Sequence, residues 1–111
     1  MKRINYGDVN YLVGDTVADT LVRYTVLLAA TGDADVVEVN VLGPDGNPET
    51  ATFALGPGIL ITAETTRSEL GEPDNEAVVT YMRGRADKFL EGTQQSISRD
   101  TIAEFRTELP D

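Results

Sequence analysis

Residues 35–64 read DVVEVNVLGPDGNPETATFALGPGILITAE, and the alternation within them decides the fold class. Val37, Val39 and Val41 alternate with Glu38 and Asn40, Phe53 and Leu55 with Thr52 and Ala54, and Ile61 and Ala63 with Thr62 and Glu64. A period of two belongs to a strand with one buried face. Pro44-Asp45-Gly46-Asn47-Pro48 and Gly56-Pro57-Gly58 interrupt the stretch with residues that turns favour. Placing Pro44 opposite Pro48 sets Val41 against Ala51, Val39 against Phe53 and Val37 against Leu55. Turning again at Gly56-Pro57-Gly58 sets Leu55 against Ile59, Phe53 against Ile61 and Ala51 against Ala63. Both registers put apolar residues on one face and Glu38, Asn40, Thr50, Thr52, Thr62 and Glu64 on the other. The expectation is an antiparallel three-stranded meander.

Towards the amino terminus, residues 1–14 read as a β-hairpin. Gly7-Asp8 is a two-residue turn of the Gly-X kind suited to type II′ geometry. It sets Tyr6 opposite Val9, Ile4 opposite Tyr11 and Lys2 opposite Val13. Every large apolar residue except Leu12 then shares one side, with Arg3, Asn5 and Asn10 on the other. A helix follows, its apolar stripe carried by Val17, Leu21, Tyr24 and Leu28 and flanked by Ala18, Val22, Thr25 and Ala29. Asp15 or Thr16 is placed to cap it, Thr16 to Asp19 has capping-box spacing, and Gly32 ends it. Between Val17 and Ala30 only Asp19 and Arg23 are charged, so this helix must be covered on more than one side. That predicts self-association, most simply a twofold dimer, unless a second helix covers it.

Towards the carboxyl terminus, residues 65–74 read as a loop and a second helix spans roughly Asp74 to Glu91. Val78, Tyr81, Met82, Phe89 and Leu90 carry its apolar face. The chain of 111 residues is thus expected to form one α+β domain over 1–92. A mainly antiparallel sheet, a hairpin plus a meander, carries two helices on one face in the order ββαβββα. Leu21, Leu28, Val39, Phe53 and Ile61 belong to its core. Residues 93–111 read as a linker and a short amphipathic tail whose apolar stripe, Ile102, Phe105 and Leu109, is a candidate interaction element.

Composition narrows the chemistry. There is no histidine and no cysteine, which removes the usual proton shuttle near neutral pH and any thiolate nucleophile or zinc–thiolate site. Asp33-Ala34-Asp35 lacks the glycine and distal glutamate of a calcium loop, so no metal is expected. The glycine-rich turns lead into no helix and carry no Lys-Ser/Thr, so no phosphate-bearing cofactor is expected either. No hydroxyl or amine stands beside a recognisable base, and the chain reads as non-enzymatic. Its net charge of −10 argues against nucleic acid and anionic membranes as partners. The opening residues lack the apolar run of a secretory signal, and a cytoplasmic protein is expected.

Three functional readings follow. The first is a non-catalytic protein acting through self-association or a protein partner. The second is a small-molecule binding domain between sheet and helices, with Tyr6, Tyr11 or Tyr24 as polar handles. The third is an acidic mimic or antagonist of a basic nucleic-acid-binding protein.

Overall fold

A computed structural model describes residues 1–93. In chain order these form β1 (Lys2–Tyr6), β2 (Val9–Val13), α1 (Asp15–Thr31), β3 (Asp35–Leu42), β4 (Pro48–Leu55), β5 (Ile61–Thr65) and α2 (Glu76–Thr93). This is the expected α+β order, with all five strands in one antiparallel sheet. The first hairpin has the expected register: Lys2 faces Val13, Ile4 faces Tyr11 and Tyr6 faces Val9. Its turn needs a positive φ at the first central position only, and Gly7 supplies it at 59°.

The meander is corrected in two respects. β3 and β4 pair two residues out of the expected register, with Val37 facing Phe53, Val39 facing Ala51 and Leu42 facing Pro48. The five-residue turn explains the offset. Gly43 donates to the Asn47 carbonyl at 2.9 Å, Gly46 to the Gly43 carbonyl at 2.8 Å, and the Asp45 carboxylate accepts the Asn47 N–H at 3.0 Å. A shift of two leaves every side chain on its expected face. The second correction is larger: β5 leaves β4 and pairs with β1, so the sheet order is β4-β3-β2-β1-β5. Tyr6 faces Ile61 and Ile4 faces Ala63, while on the outer face Asn5 donates to Thr62 at 3.0 Å and to Glu64. Ile61, placed beside an edge instead of within a meander, is only half-buried, whereas Leu21, Leu28, Val39 and Phe53 are buried as expected.

β2 and β3 meet at a single pair, Leu12 with Leu42. Past that joint the sheet curls strongly. Tyr6 and Tyr11 reach Phe53 edge-on, with ring centroids 5.2 and 5.9 Å away, and the Tyr6 hydroxyl donates to the Ala54 carbonyl at 2.7 Å. In a flat sheet β1 and β4 would stand about 14 Å apart, three strand spacings. The inner concavity is closed by α1 and α2, which pack along one another.

α1 starts without the expected side-chain cap, Gly14 taking that place. The acids of its first turns are bound by cations at the start of the chain: Asp15 pairs with the Met1 amino group at 3.1 Å and Asp19 with Lys2 at 2.6 Å. It ends at Gly32, whose N–H reaches the Ala29 carbonyl while Asp33 N–H reaches that of Leu28. Val17, Leu21, Tyr24, Leu27 and Leu28 are all buried, and the hydroxyls of the buried Thr20 and Thr25 bond back to Thr16 and Leu21 carbonyls at 2.6 and 2.7 Å. The sheet and α2 supply this cover, so the apolar character of α1 calls for no second chain. No helix among the described residues is long and apolar enough to cross a membrane.

Candidate functional site

Titratable side chains from three elements converge on Asp35, the first residue of β3. α1 delivers Tyr24, whose hydroxyl donates to Asp35 Oδ2, and α2 delivers Tyr81, which donates to the same oxygen at 2.7 Å. The Val36 N–H donates to Oδ1 at 2.7 Å. Arg85, one turn beyond Tyr81, approaches the Tyr24 hydroxyl through Nε at 3.5 Å and lies over the Phe89 ring, 5.0 Å from its centroid. Partial burial works against ionisation of Asp35, but the two hydroxyls, the N–H and the Arg85 charge outweigh it, so its carboxyl titrates below the usual value. Burial, together with the bond to Asp35, pushes Tyr24 well above an ordinary phenol. Tyr81 is raised mainly by its bond to the same carboxylate.

These shifts decide what the cluster can do. A general acid or base works best with a pKa near the working pH. Here the acid is pushed down and the phenols up, so each group keeps one protonation state through the neutral range. The cluster is a polar clamp that ties α1, α2 and β3 together. Asp35 serves here as the acceptor for three donors, and no group of three or more acids that could hold a metal occurs among the described residues.

Several large apolar side chains are left exposed. Val36, next to Asp35, is 62% exposed and Leu60 is 78% exposed, with Ile59 and Val9 also open to solvent. They lie on two faces: Val36 pairs with Ala54 on the outer face, Val9 and Ile61 pair with Tyr6 on the inner one, and Ile59 and Leu60 stand just ahead of β5. Gly56 approaches residues 33 and 34 closely, since a Cβ there would lie 3.0 Å from the Asp33 carbonyl oxygen and 3.2 Å from Ala34 Cβ. Acidic Asp8 and Asp33 flank these residues and are exposed.

A separate cleft of about 620 Å³ opens near the amino ends of both helices, lined among others by Gly14, Thr16, Glu72, Asn75, Thr80 and Arg83. None of the three tyrosines proposed as ligand handles lines it. Tyr6 is spent on Ala54 and Tyr24 on Asp35, while Tyr11 packs against Phe53. Sequence reasoning also passed over Asn75. β2 ends before it can pair with Asn40, and the Asn75 carboxamide takes its place, accepting the Asn40 N–H and donating to the Asn40 carbonyl, both at 2.8 Å. Ile102, Phe105 and Leu109 lie outside the described residues. Compared with known proteins, the chain matches no protein family, no curated protein and no solved structure.

Proposed function

We propose that this chain is a non-catalytic cytoplasmic protein that works by association, with itself or with a protein partner. The observation that carries the reading is the exposure of large apolar side chains, above all Leu60 and Val36 at 78% and 62%. Ile59 and Leu60 are neighbours and both exposed, and exposed apolar side chains that stand together mark contact sites. The clamp at Asp35 supports the same reading, since its acid is shifted down and its phenols up, away from the neutral range in which a general acid or base works. Capture from a lysate of the source cell by the full chain, by Leu60→Asp and by a version ending at Gly92 tests it. A protein retained by the full chain and lost with Leu60→Asp supports a contact at Leu60; one lost only on truncation moves the contact to Ile102, Phe105 and Leu109. No protein retained, with the chain also monomeric, refutes the reading.

The cleft favours a second reading, a small-molecule binding domain, because its volume lies within the range of ligand pockets. Its polar handles would be Thr16, Thr80 and Arg83 in place of the tyrosines. A small-molecule set that raises the melting temperature of the wild type but not of Arg83→Ala would support it.

A further inference from the structure

We infer that β4 is the seam of a twofold homodimer in which the sheets of two copies join edge to edge through Thr50, Thr52 and Ala54. The inference rests on the association reading above and names the partner as a second copy of this chain.

The ladder determines which backbone groups are free. Gly43 bonds to Asn47 across the turn, so the 43/47 pair is of the hydrogen-bonded type. Alternation along an antiparallel ladder then makes Glu49, Ala51, Phe53 and Leu55 exchange bonds with β3. The N–H and C=O groups of Thr50, Thr52 and Ala54 point away from it. Two other contacts agree with this assignment: the Ala54 carbonyl takes the Tyr6 hydroxyl from outside, and Asn40, paired with Thr50, has both backbone groups free to meet Asn75. Among the described residues no strand covers this edge of β4, and Tyr6 takes only the Ala54 carbonyl there.

Open edges are normally blunted by charge, bulges, proline or short length. β5, the other edge, has five residues, carries Glu64 and packs against α1. β4 has eight residues, and after Pro48 and Glu49 it runs Thr-Ala-Thr-Phe-Ala-Leu with no charge and no proline. Its side chains are also self-complementary. A twofold axis through Thr52 sets Thr52 against itself and Thr50 against Ala54, exposed side chains that are all small and uncharged. Glu49 falls opposite Leu55, so no like charges meet. The second lone pair of the Ala54 carbonyl remains for the incoming N–H while Tyr6 keeps the first.

Charge separates a second copy from a foreign partner. Each copy carries −10, so the copies repel, and added salt screens that repulsion. Self-association must tighten with salt, whereas capture of a basic partner must weaken.

Sedimentation of the purified full chain tests the inference, with Thr52→Lys, Thr52→Pro and Ala77→Lys alongside. Thr52 is exposed and its N–H points off the ladder, so both replacements spare the monomer's β3–β4 bonds. Thr52→Lys sets two cations face to face at the axis while lowering the overall negative charge; Ala77→Lys makes the same charge change on α2. The expected result is a species of twice 12.0 kDa. Its dissociation constant should fall as salt rises, rise roughly tenfold or more with Thr52→Lys, and fall or stay unchanged with Ala77→Lys. A wild type that stays at 12.0 kDa at every salt concentration overturns the inference, and so does a dimer indifferent to both Thr52 variants. A monomeric wild type that still captures a protein through Leu60 would leave the association reading standing and this one refuted.

Discussion

A carboxylate that receives two phenol hydroxyls and a backbone N–H is stabilised in its ionised form, and the sign of that effect on folding follows directly. Asp35 titrates below the usual carboxylate range in the folded chain. The unfolded state therefore binds its proton at higher pH, and the clamp's contribution is complete above the unfolded pKa and lost as pH falls through the folded one. Asp35→Asn should accordingly be less stable than wild type at pH 7, by about 1 kcal/mol, because the bonds to a charged acceptor are partly open to solvent. The difference should shrink below about pH 4. Urea unfolding of both proteins across this range checks it, and a gap that stays constant into acid would mean that the Asp35 charge does not hold the clamp.

At the scale of elements, β3 is completed by a side chain. β2 is too short to cover Asn40, and α2 brings the carboxamide that covers it, so the start of one helix and the middle of one strand depend on one residue. The α2 amino end does not otherwise need this side chain, because Asp74 accepts the Glu76 N–H at 3.1 Å. Asn75→Ala should cost about 1–2 kcal/mol for the two lost bonds. Asn75→Asp, which keeps the acceptor and loses the donor, should still protect the Asn40 amide. Thermal unfolding with amide exchange at Asn40 measures both, and unchanged exchange in Asn75→Ala would show that the carboxamide is not a strand substitute.

At the scale of the whole molecule, stability hinges on the place where the curled sheet meets itself. Phe53 is 1% exposed and takes the edges of Tyr6 and Tyr11 across the concavity. Phe53→Ala empties that contact and should destabilise by roughly 3–5 kcal/mol in chemical denaturation. A loss under about 1 kcal/mol would mean that the two halves of the sheet do not lean on this ring.

How far each feature was legible depended on the sequence distance its cause spans. Gly7-Asp8 set the first hairpin's register because a two-residue turn leaves no freedom, and alternation placed Val37, Phe53, Ile61 and Ala63 on the inner face because the steric period of a strand is local. The same period says nothing about neighbours, so Ile61 could have joined Phe53 or Tyr6; only the curl at Leu12 and Leu42, together with the polar partners β5 finds at Asn5, selected β1. The candidate site was hidden for the same reason. Tyr24 and Tyr81 stand 11 and 46 residues from Asp35, and no motif links them. Composition alone excluded thiolate and imidazole chemistry, which needs only a count of residues. Which acid became a clamp and which strand kept an open edge were settled by packing, because hydrogen bonds between distant residues exist only after the chain has closed on itself.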